Sequence, residues 1–304
     1  MAASQLVPQK AQATLRQRML ESLNETSAPG AKVDAGRTRI SNISRESARV
    51  FFIQELWGEG FSSPGDWDYL LEMLAPLKLS PSMNVVEVGA GLGGASRLMA
   101  EHFGVRVTAF ESDQALAEAG MQLCSATGLA KRARITVFDP DDFRSEEQSF
   151  DCAYSKEFLY AVRSKNELLR RLGNSLKSGG QFLFTDFVKP EEISNGDDLF
   201  EWIRTEPETP NVWSLKDYDI ALSRLKINIR KATDITKAFR ARVIDGWFNY
   251  AQKASQTGLD KELVGTVATD VELWASRVKA IDSGELQVLQ VLCQKEKTAL
   301  LSDW

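Results

Sequence analysis

The sequence predicts an α/β fold of the doubly wound kind, a mostly parallel sheet with helices on both faces and a helical cap, and three observations carry that expectation. Short apolar runs of strand length alternate with helical apolar periods through the middle of the chain, the pattern of parallel strands joined by crossover helices. One run, Val85-Val86-Glu87-Val88, leads straight into the loop Gly89-Ala90-Gly91-Leu92-Gly93-Gly94 at the start of a helical period. Acidic residues close three successive runs, at Glu87, Glu111 and Asp139. With 304 residues, 43% of them hydrophobic and 26% charged, the chain can bury the core of one such domain with additions.

Taken in order, residues 1–39 are expected to form a flexible arm and linker. The first twenty lack the apolar core of a secretory signal, although Lys10, Arg16 and Arg18 precede the first acid, Glu21. Ser22 to Arg39 is small and polar, with Pro29-Gly30 in its middle. Residues 40–80 hold two helices and a loop. Ser44 is placed to cap a helix with Ala48, Phe51, Phe52 and Leu56 on one side, ending at Gly58. Trp57-Gly58-Glu59-Gly60-Phe61-Ser62-Ser63-Pro64-Gly65 is a loop by composition, and a helix through Tyr69, Leu70, Met73 and Leu74 follows. Residues 81–190 form the core, with strands at Asn84–Val88, Arg106–Phe110, Ala133–Phe138, Phe150–Tyr154 and Gln181–Phe187. Residues 191–304 supply strands at Lys226–Arg230 and Leu286–Cys293, separated by helices around Phe239–Ala254 and Lys261–Ile281. Phe239, Val243, Trp247 and Tyr250 recur at helical spacing, a stripe suited to packing as a cap.

Charge and cysteine content narrow the function. Thirty-seven basic against 42 acidic residues give a net charge of -5, unlike the basic face of a nucleic-acid binder. No apolar stretch is long enough to cross a bilayer, so no integral membrane segment is expected. Cys124, Cys152 and Cys293 are far apart and lack metal-ligand spacing, which predicts free thiols, no metal and a reducing, cytoplasmic location. A small molecule is the expected substrate.

The glycine loop carries the chemistry. Glycines let the backbone turn sharply and let a ligand approach without a Cβ in the way. Gly89, Gly91 and Gly94 also satisfy the dinucleotide fingerprint, so spacing alone leaves a nicotinamide-dependent oxidoreductase open. Glu87 argues against it, because a carboxylate two residues before the first glycine suits a cationic ligand. In an open α/β sheet the strand ends converge on one crevice. There Glu111 can accept from ribose hydroxyls and Asp139 from an adenine amino group.

With Phe138-Asp139-Pro140, Phe150-Asp151 and Leu176-Lys177-Ser178-Gly179-Gly180, these motifs resemble the class I S-adenosylmethionine-dependent methyltransferases over roughly Asn84 to Asp186. The resemblance implies a Rossmann-like, seven-stranded, mostly parallel sheet whose last strand is antiparallel. It implies S-adenosyl-L-methionine as cofactor, held by Glu87, Gly89, Ala90, Gly91, Gly93, Glu111, Ser112, Asp139, Pro140 and Ser155. The flanks are similar to small-molecule methyltransferases of the phosphoethanolamine, sarcosine and sterol type. Residues 57–65 are similar to their lid, and Trp213-Ser214-Leu215-Lys216-Asp217-Tyr218 with Asp234-Ile235-Thr236 to their acceptor side. Phe61, Trp213, Tyr218 and the cap residue Trp247 are therefore candidate acceptor contacts.

The departures from the family pattern matter as much. Ser155-Lys156-Glu157 is present, but Ala161 stands where the phosphoethanolamine enzymes carry a histidine. The chain's one histidine, His102, falls in the last turn of the helix after the glycine loop, a structural or surface position. The Asn/Asp-Pro-Pro-aromatic signature of nucleic-acid amino methyltransferases is absent after Tyr154. Glu157 and Tyr160 follow the fourth strand and are the candidates for orienting or deprotonating the acceptor. The expected activity is N- or O-methylation of a small molecule by in-line displacement. A non-catalytic protein keeping the fold and a lipid-directed methyltransferase are the alternatives.

Overall fold

The computed structural model describes residues 45–193, 196–259 and 261–297. The expected N-terminal arm, the linker and the cap at Ser44 lie outside them. Seven strands form one sheet: β1 (Asn84–Val88), β2 (Arg106–Glu111), β3 (Ala133–Val137), β4 (Phe150–Lys156), β5 (Leu176–Val188), β6 (Ile227–Asp234) and β7 (Gln287–Lys295). Their order is β3-β2-β1-β4-β5-β7-β6. Strands β1 to β5 pair in parallel, and β7 runs antiparallel to both neighbours. Every residue of β1 after Asn84 is buried, as expected of a central strand covered on both faces. The chain leaves β1 toward β2 on one side while β4 returns on the other. Their carboxyl ends therefore open a crevice at the switch point.

Nine helices are described: α1 (Arg45–Trp57), α2 (Trp67–Leu74), α3 (Gly94–His102), α4 (Gln114–Ala126), α5 (Lys165–Ser175), α6 (Asp197–Thr205), α7 (Leu215–Arg224), α8 (Thr236–Thr257) and α9 (Val264–Asp282). Two buried clusters lie against the sheet, and a third joins α1, α6, α8 and α9 into a cap. Phe52 sits in the cap with ring centroids 5.2 Å from Tyr250 and 5.9 Å from Trp247. The α1 and α8 backbones approach closely, since a Cβ at Gly246 would lie 2.5 Å from the Trp57 ring.

The structure differs from the sequence expectation at several places, among them β6, which runs on to Asp234 past the expected Arg230, and the added helices α5, α6 and α7. Phe51 is 40% exposed, because with Phe52 turned into the cap its neighbour points about 100° away around the helix. Strand β5 starts at Leu176, ahead of the expected Gln181. Leu176 pairs with Phe150, the ladder shifts before Cys152 meets Gln181, and Gly179 takes a left-handed φ of 77° in between. His102 ends α3 with its ring edge-on to Phe103. Among the described residues no helix is long and apolar enough to cross a membrane. Nor do three or more His, Cys, Asp or Glu side chains gather there to hold a metal. The three cysteines are free and buried.

Candidate active site

Glu87 stands at the carboxyl end of β1 with its side chain buried. The Ser96 hydroxyl donates to it, and among the described residues no cation forms an ion pair with it. Burial pushes the Glu87 carboxyl up to about 8, with the nearby Glu111 adding to the shift and Ser96, Arg97 and Lys156 opposing it. A cation brought beside it would restore the charged form. The loop beyond turns through left-handed φ values of 77°, 54° and 73° at Gly89, Gly91 and Gly93. It is covered from above: a Cβ at Gly89 would meet the Phe158 ring, and one at Gly91 the Ser62 hydroxyl.

Glu111 closes β2 and is also buried. Its Oε2 accepts the Gly91 N–H at 2.6 Å, and its Oε1 accepts the Asp113 N–H at 2.9 Å and the Ser112 hydroxyl at 3.4 Å. Burial raises its pKa while these backbone donors oppose the shift. The side chain thus ties the strand end to the glycine loop. Asp139 is exposed and accepts the Asp141 N–H at 2.9 Å, capping the short turn Pro140–Asp142. Ser155 is fully buried, and its hydroxyl donates to the Val88 carbonyl at 3.0 Å, bridging β4 and β1 at the crevice.

Residues 58–65 lie over the loop. The buried Arg97 donates to the Leu92 carbonyl at 2.7 Å and the Gly60 carbonyl at 3.2 Å, and the Gln54 side chain accepts the Gly60 N–H at 3.0 Å. A Cβ at Gly94 would lie 2.9 Å from the Phe61 ring. Beneath this lid is a cleft of about 390 Å3, its solvent-open mouth included, lined among others by Phe61, Ser63, Glu87, Gly89, Ala90 and Lys156. Of the expected cofactor and catalytic residues, Glu87, Gly89 and Ala90 line it, whereas Gly91, Gly93, Glu111, Ser112, Asp139, Pro140, Ser155, Glu157 and Tyr160 do not.

Glu157 fastens the lid from the far side. It follows β4 in a left-handed conformation, φ 44°, held by its N–H donating to the Thr185 carbonyl at 2.8 Å. Such backbone is costly outside glycine and collects at functional sites. Its Oε1 accepts the Thr185 hydroxyl at 2.7 Å; its Oε2 accepts from Lys156 at 2.6 Å and from the Ser63 hydroxyl at 3.1 Å. Lys156 also donates to Ser63 Oγ at 2.5 Å and to the Pro64 carbonyl at 2.9 Å.

Tyr160 is differently placed. Its hydroxyl accepts from Arg277 at 2.8 Å, and its ring packs edge-on against Phe187 at 5.0 Å. Burial holds the phenol far above its ordinary pKa, although Arg277 opposes this. Arg277 pairs in turn with Glu206 at 2.6 Å. Tyr218 is fully buried and donates to Asp186, which also accepts the Tyr160 N–H at 3.0 Å. Lys165 lies 4.0 Å from Asp186 and over the Trp213 ring at 4.8 Å. Trp247 is buried in the cap against Phe52 and Tyr250, its Nε1 without a partner. Of the four acceptor candidates Phe61 lines the cleft; Tyr218 and Trp247 are buried and Trp213 is half-buried, outside its lining.

Residues 63–239 match a family model described as a methyltransferase domain. The chain belongs to that family. A phosphoethanolamine N-methyltransferase of Arabidopsis thaliana is 30% identical over 158 residues, covering 52% of this chain and 32% of that protein. A sarcosine/dimethylglycine N-methyltransferase of Aphanothece halophytica is 29% identical over 112 residues, 37% of this chain and 40% of that one. The matched part of this methyltransferase domain thus spans about a third of the phosphoethanolamine relative's length. A phosphoethanolamine N-methyltransferase 2 of Haemonchus contortus, solved with phosphomonomethylethanolamine and S-adenosylhomocysteine, superposes with a TM-score of 0.70 at 18% identity, covering 85% of this chain and 59% of that chain. At that identity the likeness concerns the fold.

Sequence reasoning missed several residues of this methyltransferase domain. Arg97 holds the lid, Ser63 and Thr185 hold Glu157, Arg277 holds Tyr160, and Ser62 covers Gly91. Only Ser62 and Ser63 had a signal, the lid resemblance. Arg97 and Arg277 read as ordinary charged helix residues, and their carbonyl and phenol partners are distant in sequence.

Proposed function

We propose that this methyltransferase domain transfers the methyl group of S-adenosylmethionine to a nitrogen or oxygen of a small-molecule acceptor. The observation that carries the reading is Glu87, a buried carboxyl with no ion pair among the described residues, at the end of β1 against a left-handed glycine loop. The site fits a ligand with a cationic amino-acid end. A dinucleotide pyrophosphate would gain nothing from a carboxyl that burial already holds protonated. When bound, the cofactor supplies an electrophilic methyl on a sulfonium whose leaving group departs neutral.

The chain's residues then bind, orient and exclude water. Glu87 receives the ammonium. Glu111, fixed by the Gly91 and Asp113 N–H groups, keeps lone pairs for ribose hydroxyls. Asp139 and Pro140, which follow β3, would hold the base. Glu157, locked by Thr185, accepts from the acceptor's N–H or O–H and aligns its lone pair with the methyl. The lid keeps the reaction dry. An amine acceptor is favoured by the substrates named for the relatives, phosphoethanolamine, sarcosine and dimethylglycine. The three buried free thiols suit a reducing compartment such as the cytoplasm.

The test is product mass spectrometry with methyl-labelled S-adenosylmethionine and a panel of small amines and alcohols. A labelled product that disappears with Glu157→Gln, while S-adenosylhomocysteine still binds, is the expected result. Failure of the wild-type chain to bind S-adenosylhomocysteine would remove the reading.

A further inference from the structure

Behind the turn that carries Glu157 lies a buried charge pair that the methyl transfer does not use. Asp186, near the end of β5, and Lys165, at the start of α5, both have side chains closed to solvent, with 4.0 Å between Lys165 Nζ and Asp186 Oδ2. The ammonium lies 4.8 Å from the Trp213 ring centroid and 5.0 Å from that of Tyr218, and it donates to the Asn211 carbonyl at 2.6 Å. Asp186 Oδ1 accepts the Tyr160 N–H at 3.0 Å, and its Oδ2 accepts the Tyr218 hydroxyl. Burial pushes the carboxyl up and the ammonium down, and each charge opposes the shift of the other. A buried pair often stabilises a fold no better than apolar side chains of the same volume would, and its best-attested use is to select one geometry.

The geometry selected here is that of residues 157–161. Thr185 fixes Glu157 through its carbonyl and its hydroxyl, and Asp186, the next residue of β5, fixes the Tyr160 N–H. The Tyr160 carbonyl accepts the Asn211 N–H at 2.7 Å, and the Asn211 carbonyl is the acceptor of Lys165. The charge pair thus grips both backbone polar groups of Tyr160. Glu157 keeps a left-handed φ of 44°, a conformation that persists outside glycine only where the surroundings impose it. Its Oε2 accepts from Ser63 of the lid at 3.1 Å, so whatever fixes this turn also reaches the lid.

We infer that Asp186, backed by Lys165, is a positioning residue: it holds residues 157–161 so that Glu157 keeps its left-handed backbone, its place toward the acceptor and its bond to the lid. The place toward the acceptor rests on the proposed methyl transfer. The hold on the turn does not.

The test follows amide hydrogen exchange over residues 157–161 and, by stopped flow, the release of S-adenosylhomocysteine, in the full chain well below its Tm. Asp186→Ala should speed exchange over 157–161 about tenfold or more, the scale for losing a hydrogen bond to a charged acceptor, while β1 and β2 exchange as in the wild type. Release of S-adenosylhomocysteine should quicken about fivefold or more, although Asp186 does not line the cleft. Asp186→Asn keeps an oxygen for the Tyr160 N–H and should return both rates to within about twofold of the wild type. A merely structural role would lower Tm in the variants and leave local exchange and release in the folded chain unmoved. If Asp186→Ala does not fold, Lys165→Met carries the test: it takes the donor from Asn211 and the cation from beside Asp186, and should speed exchange over 157–161 about threefold or more. Unchanged exchange there in the folded variant overturns the assignment, and faster exchange with unchanged release overturns its reach to the lid. Failure of the wild-type chain to bind S-adenosylhomocysteine overturns the methyl-transfer reading instead, and faster exchange in Asp186→Ala would still establish the hold on the turn.

Discussion

Glu87 and Glu157 are two carboxylates at neighbouring strand ends with opposite surroundings. Glu157 is held by an ammonium and two hydroxyls, whereas Glu87 has a single hydroxyl partner. Because folding raises the Glu87 carboxyl from 4.5 to about 8, the folded chain keeps a proton that the unfolded chain has released between those values. That contribution to stability is present at low pH and fades as pH rises through about 8. A cationic ligand reverses the preference, so S-adenosylhomocysteine should bind more tightly as pH rises from about 5 toward 8, approaching tenfold per unit. Calorimetry at pH 6.5 in buffers of different ionisation enthalpy should report about one proton released, and none with Glu87→Gln. Release that persists in the variant would move the titrating group to Glu111. Glu111→Ala should weaken cofactor binding by about 1.5–3 kcal/mol, and unchanged affinity would transfer the ribose contact to another residue. The Tyr160 hydroxyl is engaged by Arg277, so Tyr160→Phe should lower stability by about 1–3 kcal/mol, because one guanidinium N–H loses its acceptor while Glu206 keeps the charge paired. Denaturant melts compared with kcat would separate this from a role in proton transfer.

At the scale of elements, the lid and the end of β4 act as one piece. Lys156→Met removes the bonds to Ser63, Pro64 and Glu157 together, and should raise the rate of S-adenosylhomocysteine release about tenfold or more in stopped-flow measurements. An unchanged release rate would show that the Arg97 anchor holds the lid by itself. Gly91→Val should abolish binding for two reasons, a left-handed φ of 54° and a collision with Ser62. The strands, the glycine loop and the capping helices were legible in the sequence because their signals are local: apolar alternation, glycine spacing and a periodic stripe. The lid fastening was not legible, since Ser63 and Glu157 are 94 residues apart and only the folded chain brings them together. The same holds for Tyr160 and Arg277, 117 residues apart. The burial of Trp247 and Tyr218 was not legible either, because aromatic side chains suit both a core and a binding wall.

For the whole molecule, a ligand seated between the strand ends and the lid stabilises every element that encloses it. S-adenosylhomocysteine at about a hundred times its Kd should add about 2.7 kcal/mol, seen as a rise in Tm of a few degrees. No rise would mean that the described fold does not bind it. The cap contributes through α1, whose Phe52 joins it to α8, and through Arg277, which carries its packing to Tyr160 beside β4. The fastening of Ser63 and Pro64 to Lys156 and Glu157 has a kinetic consequence. Residues 58–65, which cover the glycine loop, are fastened to the carboxylate proposed to meet the acceptor, so on that proposal a movement of the lid that admits the methyl donor also moves the acceptor side. Turnover should then follow a compulsory order, donor first and acceptor second, with the reopening of that fastening setting the pace at which spent donor leaves.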